Sequence, residues 1–176
     1  MDDLIERFRA ATDAIGALRA RVEAGDPWPL SVAYGTEPES SWGPKEVLAH
    51  VDEMIPYWLG QIDRIVAAGT SDAVPFGRVA TDANRIERIG RDRSLPAGQL
   101  FERLDDAARS AADAFRDLPA GAAEARGLHS RLGEMSVNGI FEHFVVDHVE
   151  EHARQLAEIL ERAEGEQMSQ PGPTTA

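Results

Sequence analysis

The sequence predicts an all-α protein built as a four-helix bundle, and three observations carry that expectation. Apolar residues recur at three- and four-residue spacing over long stretches, alanine is abundant while aromatics make up only 6% of 176 residues, and Gly and Pro gather between the periodic stretches. A sandwich or barrel of short strands would be patterned differently. The length suits one domain with a sizeable core, expected over residues 1–164, and the polar residues 165–176 are expected to form a disordered tail.

The first helix is expected over residues 2–23, where Leu4, Phe8, Ala11, Ile15, Leu18 and Val22 fall on one face. Gly25, Pro27 and Pro29 stop it, and residues 26–41 read as a long connection carrying Trp28 and Tyr34, of the kind that is often functional. The second helix is expected from about Ser41 to Ala68, with Pro44 and Glu46 in its first turn and Val47, Val51, Met54, Ile55, Trp58, Ile62 and Ile65 as its core stripe. Pro56 lies inside that stripe and must kink the helix or cost it a backbone hydrogen bond. Between 69 and 95 the pattern offers only a short helix over 83–89, bounded by Gly77 and Gly90. The third long helix follows Pro96, with Leu100, Leu104, Ala107, Ala108, Ala111 and Phe115 facing inward, and ends at Pro119. Residues 121–133, including His129, read as a loop, and the last helix is expected over 136–163.

The formal charge of -13, from 31 acidic against 18 basic residues, repels nucleic acid and anionic membrane surfaces unless the basic residues cluster. The densest group, Arg85, Arg88, Arg91 and Arg93, is interleaved with Asp82, Glu87 and Asp92 and reads as a solvated charged face. Nucleic acid is therefore not an expected partner. No stretch is long and apolar enough to span a bilayer and the first residues lack an apolar signal core, so a cytoplasmic protein without membrane association is expected. With no cysteine, disulfides, thiolate ligands and a Cys nucleophile are all excluded, and any metal must be held by imidazole or carboxylate.

The histidines carry the chemistry. On the last helix Phe141, Val145, His148, His152, Leu156 and Ile159 fall along one stripe, so His148 and His152 take core positions one turn apart. His143 points roughly 140° away from His148 and belongs on the surface. Such a pair presents two nitrogens to one ion; the competing possibility is that each imidazole bonds an acidic or carbonyl partner in the core. His50 weakens that possibility, since it sits about 40° from Met54 on another core-forming helix. Three neutral imidazoles leave a position open for water or substrate, as in a reactive zinc or nickel site. Asp52, Glu151 and Gln155 lie near enough to orient the ligands, although solvation accounts equally well for the first two. The segment from His148 to His152 also matches the HxxEH pattern of inverted zinc peptidases, but that chemistry needs a further acidic ligand well downstream, where the sequence offers only a polar tail.

Two segments, Ser41-Trp42-Gly43-Pro44-Lys45-Glu46-Val47-Leu48-Ala49-His50 and Phe141-Glu142-His143-Phe144-Val145-Val146-Asp147-His148-Val149-Glu150-Glu151-His152-Ala153-Arg154-Gln155-Leu156, resemble the DinB-like superfamily, which includes the metal-binding domain of mycothiol-dependent maleylpyruvate isomerases. The layout agrees over roughly residues 1–164, with little signature in the middle. The resemblance implies a four-helix bundle, a divalent site with His50, His148 and His152 as ligands, and a homodimer, for which apolar residues beyond the stripe of the second helix, Leu48 and Leu59, offer a face. It also implies a transferase or isomerase that uses a low-molecular-weight thiol such as bacillithiol or mycothiol. Maleylpyruvate isomerases carry a glutamate at the place of His148 and a second domain, so that particular isomerisation is not what the resemblance implies here.

Two functions follow. In the first, the chain is a metal-dependent enzyme in which an external thiol attacks a small electrophile, and the substrate pocket is formed by the 26–41 connection with Trp42, Tyr57 and Trp58. No side chain is nominated as catalytic, and the lack of cysteine agrees with a nucleophile supplied from outside. In the second, the metal or hydrogen-bonded histidines only stabilise the fold of a stress-response module whose acidic surface binds a protein partner.

Overall fold

Leu4, Ile5, Phe8, Ala11 and Ile15 are buried along α1 (Asp2–Ala17) in the computed structural model, which describes residues 2–32, 39–69 and 72–169. The first helix does not run unbroken to residue 23: it is interrupted at Leu18, whose carbonyl then receives the N–H groups of Arg21 and Val22 and starts α2 (Arg19–Ala24). The connection that follows is tied down locally. The Trp28 indole donates to the Val22 carbonyl at 2.7 Å, and the Asp26 carboxylate accepts from Lys45 at 3.3 Å and from the Ala97 N–H at 3.4 Å. Tyr34 lies outside the described residues.

Ser41 does not open the second long helix. Glu39–Ser41 form a single 3-10 turn, and α3 (Pro44–Ala68) begins at the proline, whose missing N–H costs nothing in a first turn. The buried Glu46 carboxylate holds this start together by accepting from the N–H groups of Gly43 and Ser31 and from Arg93. The whole expected stripe is buried, and the helix continues through Pro56, which faces solvent.

Among the described residues, the expected all-α chain carries one small sheet. β1 (Val74–Phe76) pairs in parallel with β2 (Arg126–His129), which forms an antiparallel hairpin with β3 (Gly133–Ser136), so the expected loop at 121–133 is partly strand. Strands of three or four residues are too short to show a period-two pattern. Gly127 lets this sheet lie against α3, since a Cβ there would come within 2.6 Å of the Phe76 ring and 2.7 Å of Ile65. Between β1 and the third long helix, α4 (Ala83–Asp92) is capped by the Asp82 carboxylate, which accepts the Arg85 N–H at 3.0 Å, and it runs through Gly90.

Pro96 is the cap of α5 (Ala97–Arg116) rather than its first turn, and Phe101 joins the expected inward residues. The last rod consists of α6 (Val137–Phe141), one wider turn with i→i+5 bonding at Glu142–Val146, and α7 (Asp147–Ser169). The Ser136 hydroxyl caps it by accepting the Gly139 N–H. Residues 165–169 of the expected tail are helical, and 170–176 lie outside the described residues. α5 packs on α1 and α3, and α7 packs on the same two helices, closing a ring of four rods around Phe8, Phe115 and Phe141. No helix among the described residues is long and apolar enough to cross a membrane.

Two expectations about the surface change. Arg91 is exposed, but Arg85 and Arg93 turn inward because Glu39 and Glu46 stand opposite them at 2.6 and 2.9 Å, so this group is not one solvated face. Leu48 is buried in the chain's own core, and Leu59 packs against that core half-buried.

Candidate metal centre

His50 reaches the core because α3 places it one turn before Met54, and His148 and His152 reach the same point from α7. The ring centroids are 4.9 Å apart for His50 and His152, 5.6 Å for His50 and His148, and 4.9 Å for His148 and His152. The 3-10 turn adds Glu39. One donor atom from each of Glu39, His50, His148 and His152 can be chosen so that all lie within 4.8 Å of one another.

The hydrogen bonding of these imidazoles bears on whether they form a metal site or a satisfied core. Among the described residues, both nitrogens of His50 and Nε2 of His152 are buried without a hydrogen-bond partner. The carboxylate nearest to His50, Glu53, is 4.0 Å from Nδ1 and is engaged by both terminal nitrogens of Arg78, at 2.6 and 2.5 Å. A buried polar group without a partner costs on the order of 1–3 kcal/mol, so three such nitrogens at one point are a considerable burden on the fold unless something binds them. A divalent cation fits this donor set.

His152 is oriented from behind. The Gln155 amide nitrogen donates to the Glu39 carbonyl at 2.9 Å, which leaves the amide oxygen to accept from His152 Nδ1 at 2.8 Å. Nδ1 therefore carries the proton, and Nε2 turns its lone pair towards His50 and His148. Trp42 covers the group, edge-on to His50 at 5.3 Å and parallel to His152 at 6.3 Å.

Burial, reinforced by the neighbouring His152 ring, holds the His50 imidazole well below its ordinary pKa. Burial also lowers His152, against the pull of its Gln155 hydrogen bond, and takes His148 down to about 4. All three are thus neutral near pH 7, the form in which imidazole donates to a metal.

The structure brings together all three histidines expected as ligands and Gln155 behind them. Asp52 is elsewhere, buried against Arg103 at 2.5 Å, and Glu151 and His143 are exposed. Tyr57 stacks under Arg78 at 3.8 Å rather than lining the site. Trp58 stacks on Phe144 at 4.2 Å and, with Met54, walls a cavity of about 220 Å³ that reaches His50, His148 and Glu39. A groove of about 740 Å³ runs along α7 and reaches His152, Gln155 and Glu39 from another side.

Sequence reasoning missed Glu39 and its partner Arg85. No periodicity marks residue 39, and Glu37 offers the same chemistry two positions earlier, so the sequence alone does not single out Glu39, which the Gln155 hydrogen bond to its carbonyl holds beside the histidines. No protein-family model matches this chain, and no curated protein or solved structure matches it.

Proposed function

We propose that the chain is a divalent-metal-dependent enzyme of the DinB-like kind, a four-helix bundle in which His50, His148 and His152 hold zinc or nickel and an external low-molecular-weight thiol attacks a small electrophile. The observation that carries this reading is the set of buried, partnerless imidazole nitrogens on His50 and His152 at the point where three histidines meet. When bound there, a divalent ion supplies the positive charge that lowers the pKa of a thiol and keeps it as thiolate.

The chain's own residues bind and orient. Neutral imidazoles donate, Gln155 fixes the His152 tautomer, and Trp42 keeps water from the buried side of the site. Met54, Trp58 and Phe144 offer apolar walls to an electrophile, while the groove along α7, with Arg154 and Arg162 among its carboxylates, suits the polar body of a thiol cosubstrate. No side chain serves as nucleophile, in keeping with a sequence that has no cysteine.

The test is to strip the protein with chelator, reload it with zinc or nickel, and follow consumption of bacillithiol or mycothiol with a panel of small electrophiles. Metal-dependent consumption that His50→Ala abolishes supports the reading. Tight metal binding with no thiol turnover would instead favour a non-catalytic module.

A further inference from the structure

Glu39 is held at both ends by different partners. Its carbonyl accepts from Gln155 at 2.9 Å, so its backbone is anchored to α7, while its carboxylate accepts from Arg85 at 2.6 Å. Arg85 is in turn held by the Ala80 carbonyl at 3.0 Å and lies over the Trp42 ring. A Glu39 carboxylate oxygen also stands within 4.8 Å of the imidazole donor atoms, which places it between two alternative cationic partners, a guanidinium and an ion held by the histidines.

Its place among the openings adds a second observation. Among the described residues lining the apolar cavity and the polar groove, Glu39 alone belongs to both, so a ligand arriving from either side meets its carboxylate at the histidines. Arg85 lines the apolar cavity beside it. A fourth ligand that stayed bound would make a closed structural site, whereas one with a second partner close by can leave and return.

We propose that Glu39 is an exchangeable fourth ligand of the centre, displaced by the anionic head of an incoming thiolate or carboxylate, and that Arg85 is the positioning residue that receives it. This rests on the metal reading given above. Exchange replaces one anion by another at the histidines: the departing carboxylate pairs with Arg85, and while it is on the ion Arg85 keeps its bond to the Ala80 carbonyl, so each buried charge has a partner at both stages. Lys at position 85 would supply the charge without the planar fork that grips a carboxylate.

Cobalt(II) bound to the full chain is the probe, because its visible absorption reports coordination number and ligand type, and azide and 2-mercaptoethanol are the titrants. In Glu39→Gln the cobalt spectrum should change, cobalt affinity should fall by about 10- to 100-fold, and azide should bind about tenfold more tightly for want of a competitor. Arg85→Met should act in the opposite sense, with both titrants binding about tenfold more weakly. Glu39→Asp, which keeps the charge but shortens its reach, should fall between wild type and Glu39→Gln. Circular dichroism melts verify folding, and Arg85→Lys carries the same comparison if Arg85→Met does not fold. Identical spectra and azide affinities in wild type and Glu39→Gln would overturn the exchange while leaving a three-histidine site standing. Failure of the wild-type chain to bind cobalt would overturn both.

Discussion

His152 and His143 lie on the same rod, and their fates differ because spacing on a helix is direction. His152→Ala should abolish tight metal binding, since two remaining imidazoles cannot hold the ion's geometry, and should also forfeit the stability contributed by the ion. His143→Ala, at an exposed position, should shift stability by no more than about 0.5 kcal/mol. Gln155→Leu keeps the bulk but loses both hydrogen bonds, and metal affinity should fall by about 10- to 100-fold. Calorimetric titration with zinc on the three variants checks these outcomes. The metal-free protein should also be acid-sensitive in a defined direction. Folded His148 resists protonation down to about pH 4, whereas the unfolded chain takes up that proton near 6.5. Protons therefore favour the unfolded state in that interval, and the melting temperature of chelator-treated protein should be fully developed above about 6.5 and decline as the pH falls towards 4. At this scale His50, His148 and His152 are legible in the sequence because a 3.6-residue period converts spacing into facing, while Glu39 stands in a stretch without period.

The long helices are legible because each buries a stripe several turns long, and the sheet is not, because its strands are too short to carry a pattern and are positioned by what they lie on. Gly127 is such a contact. Gly127→Ala should destabilise the protein by about 1–3 kcal/mol, since the new methyl meets Phe76 and Ile65 well inside ordinary packing distance, and thermal melts measure it. The wider turn at Glu142–Val146 left no trace in the sequence either. Such a turn accommodates one residue more than a regular α-helix, so removing one there restores regular winding with the flanking segments in place. Deleting His143 should therefore leave metal binding intact, whereas deleting Glu151, between the two ligands in regular α-helix, should rotate His152 by ~100° and abolish it. Equal metal content in the two deletion variants would contradict the part given to this turn.

Among the described residues, α1, α3, α5 and α7 pack on one another and bring distant parts of the chain to one buried point, with a 3-10 turn and the strongly charged α4 beside it. Of the two α3 residues that suggested a dimer face, Leu48 is buried within the chain and Leu59 is half-buried; light scattering at micromolar concentration should give twice 19.2 kDa if the dimer forms and 19.2 kDa if it does not. What the sequence conveyed at this scale was the helical architecture and the meeting of two helices at their histidines, since both depend on long apolar stripes; the inward turn of Arg85 and Arg93 depends on carboxylates brought from elsewhere in the chain. Everything about the site turns on whether those imidazoles hold an ion. The most direct measurement is elemental analysis of untagged protein, purified without chelator, together with its melting temperature before and after chelation. About one zinc or nickel per chain, with a clear fall in melting temperature when the ion is removed, is the predicted result. Metal-free protein that takes up neither ion and melts at the same temperature with and without chelator would contradict it.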